Sequence, residues 1–134
     1  MNELQKKLFD KACQAQKNSH SPYSHARIGA AVLMGDGQIF GGCNVENASY
    51  GGTVCAERIA IFKAISEGAA HSIKEVMVVS DAEKPWPPCG FCRQVIAEFG
   101  SEDTLVYTAN LQAKMKTFKF GDIFPEAFTP AHLD

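Results

Sequence analysis

Apolar residues recur at helical spacing near the start of the chain, at Leu4, Leu8, Phe9, Ala12 and Cys13, with polar and charged residues between them. This period predicts one amphipathic helix over residues 2–18, broken by Ser21-Pro22. The pattern then changes. Ile28 to Met34 is a short apolar run and Gln38 to Cys43 a second extended segment. Between them, Gly35-Asp36-Gly37 supplies residues that tolerate the positive φ of a tight hairpin turn. Thr53 is placed to N-cap a helix carrying Ala60, Ile61, Ala64 and Ile65 on adjoining faces, with Gly68 closing it. Ile73 to Val79 is almost continuously apolar, as in a strand buried on both faces. Cys92, Val95, Ile96 and Phe99 fall at i, i+3, i+4 and i+7 of a helix that Gly100 ends. Thr104 to Thr108 and Met115 to Phe120 read as two more strands. Helix, hairpin, helix, strand, helix, strand, strand is the order of an α/β fold with helices packed on a mixed sheet.

The chain has 134 residues, the size of one domain spanning 1–134 with a substantial core. At 46% hydrophobic and 21% charged residues its composition is that of a soluble globular protein, which excludes disordered, collagen-like and coiled-coil classes. Thirteen basic against fifteen acidic residues leave a net charge of −2, without the clustered basic face that a polynucleotide requires. No run approaches the roughly 18 apolar residues of a membrane span. The charged segment Met1–Lys11 lacks the apolar core of a signal peptide, so the expected location is cytoplasmic. In that compartment five cysteines are expected to be reduced and to serve metal binding or catalysis.

Two segments carry the candidate chemistry: Cys55-Ala56-Glu57-Arg58 and Pro88-Cys89-Gly90-Phe91-Cys92-Arg93-Gln94. Each falls at a predicted helix N-terminus, where partial positive charge favours the thiolate that metals bind. Cys89 and Cys92, three residues apart, can turn their sulfurs to one side, and soft thiolates select zinc over magnesium or calcium. Cys55 is the third ligand. Three protein ligands leave the fourth tetrahedral position open, as in catalytic zinc sites, where bound water ionises near pH 7. Glu57, two residues beyond Cys55, is then the proton carrier beside that water. Arg58 and Arg93 are expected to donate hydrogen bonds to the thiolates and offset their negative charge. Two other readings of the cysteines stand at this point: a redox pair formed by Cys89 and Cys92, and a closed structural zinc site with Cys43 or a histidine as fourth ligand. Cys13 and Cys43 otherwise read as buried small hydrophobes. His20, His25, His71 and His132 read as solvated side chains, without partners at ligand spacing.

Taken with Gly42-Cys43-Asn44-Val45-Glu46-Asn47-Ala48, these segments resemble the small homotetrameric cytidine deaminases. Matching stretches run from Ser21-Pro22-Tyr23-Ser24 to Phe124-Pro125-Glu126-Ala127-Phe128, nearly the whole chain. The resemblance implies a three-layer α/β/α fold with a mixed sheet of about five strands. It also implies one zinc ion per subunit, held by Cys55, Cys89 and Cys92, with Glu57 as general acid and base. The implied reaction is hydrolytic deamination of cytidine and deoxycytidine, as in pyrimidine salvage. Asn44 and Glu46 would bind the ribose hydroxyls, Ala56 would contact the substrate, and Phe128 would reach the pocket of a neighbouring subunit. Tyr50 would lie near the subunit contacts. The implied assembly is a homotetramer with shared sites, acting on a small nucleoside and on neither nucleic acid nor membrane.

One stretch departs from that family. Where it usually has Pro-Tyr-Ser-x-Phe-Pro-Val-Gly-Ala, this chain reads Pro22-Tyr23-Ser24-His25-Ala26-Arg27-Ile28-Gly29-Ala30, with Ala26 in place of a ring that stacks on the base. Base–aromatic stacking is worth roughly 1–3 kcal/mol, so weaker cytidine binding is expected. Trp86 and Phe91 exceed the small residues common near their positions and are expected to refill part of the gap. A deaminase of modified cytosine nucleosides is the close rival, kept open by Ala26. A zinc-stabilised binding module without turnover is the rival from another class, and Glu57 argues against it.

Overall fold

A computed structural model describes residues 1–134, and one alternation organises it. Strand β1 (Ile28–Met34) sends successive side chains to opposite faces of a sheet. Ala31 and Leu33 join Leu8 and Ala12 of helix α1 (Glu3–Gln16) in one core. Ala30, Val32 and Met34 join Ala60 and Ile61 of α2 (Ala56–Ser66) and Ile96 of α3 (Gly90–Phe99) in the other. The result is three layers: α1, the sheet, and α2 with α3.

The remaining strands are β2 (Ile39–Cys43), β3 (Ile73–Ser80), β4 (Leu105–Asn110) and β5 (Met115–Lys119), in the order β2-β1-β3-β4-β5. Only β3 and β4 are parallel, with α3 in the connection between them, so the sheet is mixed as expected. The Gly35–Gly37 turn forms with Gly37 at φ 87°, which glycine adopts without a side-chain clash. Asp36 fastens it from outside, its carboxylate accepting from the amides of Gln38 and Ala70 at 3.1 and 2.8 Å.

Two of the element ends that differ from expectation have a clear cause in the fold. Helix α2 is capped by Cys55 rather than Thr53, because Val54 pairs with Val45 through two backbone hydrogen bonds of 2.9 and 3.0 Å. That bridge holds the chain extended until Cys55, and Thr53 instead closes a 3-10 turn over Tyr50–Gly52. The last strand stops at Lys119, and Phe120 turns inward to begin the short helix α4 (Phe120–Ile123). Helix α2 lies very close to β2: a Cβ on Gly42 would meet the Ala60 amide nitrogen at 2.5 Å. This approach sets where the N-terminus of α2 can lie.

Candidate metal centre and its cavity

Cys55 and Cys89 occupy the N-cap positions of α2 and α3, and Cys92 follows in the first turn of α3. The Cys89 sulfur accepts the Cys92 amide hydrogen at 3.4 Å, so the residue that caps the helix also presents its sulfur outward. The three sulfurs lie within 4.8 Å of one another, with Cys55 and Cys89 only 3.7 Å apart. Tetrahedral zinc–sulfur bonds of about 2.3 Å separate neighbouring sulfurs by about 3.8 Å, so the donors are already spaced for zinc. The donor set is soft and thiolate-only, which fits zinc and not magnesium or calcium.

Electrostatics favour a thiolate here. Cys55 is drawn down to about 5 by a hydrogen bond from Cys92 and by the Arg58 guanidinium, whose Nη2 donates to its sulfur at 3.5 Å. Cys92 is pushed up, chiefly because it keeps the proton it donates to Cys55. Arg93 departs from expectation: its Nε and Nη1 donate to the carbonyls of Pro88 and Ile123, at 2.9 and 2.7 Å, and it makes no hydrogen bond to a sulfur. Those two carbonyls flank the side chain and draw it away from the cluster, so it braces the turn that carries Cys89.

Glu57 sits beside this cluster in the first turn of α2. It is 3% exposed and pairs with no lysine or arginine, and burial pushes its carboxyl up to about 7. A cavity of about 350 Å³ opens over it, also lined by Cys55, Ala56, Cys89, Asn44 and Glu46. The side chains of Asn44 and Glu46 also hold the preceding loop. Asn44 donates to the Ala26 carbonyl at 2.8 Å and accepts from the Ile28 amide at 2.9 Å. Glu46 accepts from the amides of Tyr23 and Ser24 at 3.0 and 3.1 Å and from the Ser24 hydroxyl, which holds its carboxyl below the usual range.

The structure thus gathers Cys55, Ala56, Glu57, Cys89, Asn44 and Glu46 around one cavity, with Arg58 and Cys92 behind it. Tyr50 and Phe128 lie outside. Tyr50 is exposed, its ring 5.5 Å from that of Tyr23, while Phe128 is 55% exposed and stacks on His132. Ala26 and Trp86 line the cavity; Phe91 does not, because it lies beneath Arg58. Sequence reasoning missed Ser24, Ile28, Thr53, Val78 and Pro87 as lining residues. Thr53 could have been found from its place two residues before Cys55. Ile28 and Val78 become visible only once the β1–β3 register pairs Ala30 with Val78.

Comparison with known proteins agrees with this geometry. Residues 2–108 match the family model for the cytidine and deoxycytidylate deaminase zinc-binding region. A cytidine deaminase of Halalkalibacterium halodurans is 47% identical over 127 residues, covering 95% of this chain and 96% of that protein. Another, from Mycobacterium tuberculosis, is 37% identical over 121 residues, covering 90% and 86%. Among solved structures, the cytidine deaminase of Burkholderia pseudomallei superposes with a TM-score of 0.87 at 40% identity, covering 96% of this chain and all of that one. With a match across both cysteine segments and most of the sheet, the chain belongs to the cytidine and deoxycytidylate deaminase zinc-binding family.

Proposed function

We propose that this chain is a zinc-dependent hydrolase that converts cytidine and deoxycytidine to uridine and deoxyuridine with release of ammonia, a step of pyrimidine salvage. The observation that carries this reading is Glu57: a carboxyl buried beside three zinc-spaced sulfurs, in no salt bridge and with a cavity above it. A structural zinc site or a redox pair has no use for such a group.

Cys55, Cys89 and Cys92 would hold the metal, and Cys55 and Cys89 also line the cavity. When bound, zinc supplies Lewis acidity that brings the ionisation of water into the neutral range. Glu57 takes the proton of the attacking water and delivers it to N3 of the pyrimidine. It then relays a proton to the departing amino group, so that a C4–O bond forms, the C4–N bond breaks and ammonia leaves. A carboxyl poised near neutrality can both accept and release that proton. Arg58 offsets the thiolate charge at Cys55. Ala56 contacts the base, and Asn44 and Glu46 take the ribose hydroxyls, the amide donating and the carboxylate accepting.

The reading extends to a cytoplasmic enzyme formed by the one domain 1–134, assembled as a homotetramer in which Phe128 reaches a neighbour's pocket and Tyr50 lies at the contact. Exposure of both rings supports this. No helix is long and apolar enough to cross a membrane. The test is an ultraviolet deamination assay on cytidine and deoxycytidine with zinc content measured in parallel. Wild type turns over both, while Glu57→Ala retains zinc and loses activity by at least about a hundredfold. Zinc-loaded wild type that deaminates neither nucleoside overturns the reading. Light scattering tests the assembly, and a mass near one subunit counts against shared pockets.

A further inference from the structure

The cavity above Glu57 has polar groups at one side and only one aromatic side chain in its lining, Trp86. The indole is 47% exposed, so part of its ring is free to meet a ligand in the cavity that it lines. Its backbone leaves it little freedom. Trp86 lies between Pro85 and the pair Pro87-Pro88, each with φ fixed near −65° by its ring.

The loop that carries Trp86 is also fastened at three points. Asp81 accepts the Arg27 amide hydrogen at 3.2 Å, which ties this loop to the one bearing Ala26. The Glu83 carbonyl accepts from the Asn110 side chain at 2.7 Å. Pro88 is fully buried, and its carbonyl accepts from Arg93. A ring held this way loses little entropy when it is covered.

We infer that Trp86 is the stacking platform for the base of the bound nucleoside, and thus the residue that favours a flat heteroaromatic ring in this cavity. The inference rests on the deaminase reading. Ala56, Cys55 and Glu57 meet the reacting edge of the ring and Asn44 and Glu46 the sugar, and among this subunit's own lining residues only Trp86 offers a ring to cover a face of the base. The Ala26 methyl lines the same cavity and leaves the space that a flat ring enters.

Trp86 is the sole tryptophan of the chain, so its emission reports the site directly. Zinc-loaded wild-type protein is titrated with uridine, the product, which binds without turnover. The expected result is saturable quenching with a midpoint equal to the competitive inhibition constant of uridine in the deamination assay. Trp86→Ala raises the KM for cytidine about five- to a hundredfold with the loss in KM rather than kcat, and Trp86→Phe restores most of it. Uridine that inhibits without moving the emission overturns the inference, as does a Trp86→Ala enzyme of unchanged KM. Both of those outcomes leave the deaminase reading intact. Absence of any deamination by wild type removes the reading, and the inference with it.

Discussion

The Arg58 guanidinium carbon lies 4.1 Å from the centre of the Phe91 ring, while Nη2 of the same side chain donates to the Cys55 sulfur at 3.5 Å. The Arg58 Nε is buried without a hydrogen-bond partner, so the face of Phe91 is what compensates that part of the cation. Phe91, itself 64% exposed, therefore positions the guanidinium that donates to the Cys55 sulfur. An exposed cation–π contact is worth about 0.5–1 kcal/mol, so Phe91→Ala weakens zinc binding about two- to fivefold. Arg58→Ala removes the donor itself and weakens it about ten- to a hundredfold. Competition with a chelator measures both, and a Phe91→Ala protein with wild-type zinc affinity contradicts the positioning role.

Gly42 gives a test of how the scaffold sets the site. Its Cβ would meet backbone atoms of α2 at 2.5 and 2.8 Å, and backbone cannot rotate aside. Gly42→Ala must push α2 away from the sheet, and with it Cys55 and Glu57. The expected loss is about 1–3 kcal/mol in urea unfolding, together with weaker zinc retention. Gly51, where a Cβ meets nothing within 4 Å, is the control: Gly51→Ala changes stability by less than about 0.5 kcal/mol.

Most of the fold and half of the site's logic were legible because they follow from local rules. Val95, Ile96 and Phe99 of α3 pack into one core, and with Cys92 their spacing shows the helix directly. Cysteines at two helix starts likewise carry their chemistry in their spacing. What escaped was set by partners distant in sequence. Thr53 has the chemistry of a cap, but the Val45–Val54 bridge delays the helix to Cys55. Arg93 adjoins Cys92, yet a carbonyl thirty residues away, at Ile123, captures it. Phe91 has the bulk to fill a cavity, but its place between Cys89 and Cys92 turns it out beneath Arg58.

Ala26 is half-buried on the cavity wall, at the end of the loop that Asn44 and Glu46 hold. A ring at this position would give the base an additional aromatic contact worth roughly 1–3 kcal/mol. Ala26→Phe accordingly lowers the KM for cytidine by about tenfold. Steady-state kinetics on cytidine decide the matter, and an unchanged or higher KM means that the alanine is matched to a different base.

On the opposite side of the sheet, Tyr107 is buried and its hydroxyl donates to Glu75 Oε1 at 2.5 Å. Burial, followed by that hydrogen bond, pushes the phenol from 10.0 up to about 12. The folded state thus holds this proton more tightly than the unfolded chain does. The contribution to stability is complete below pH 10 and is lost as pH rises from there to about 12. In ultraviolet titration of the three tyrosines, one step near pH 12 is expected, and it disappears in Tyr107→Phe. Because that variant has no phenol to ionise, its stability falls less steeply than that of wild type across the same interval. A wild-type protein with no tyrosine ionising above about pH 11 would show that the Glu75 contact does not hold the proton.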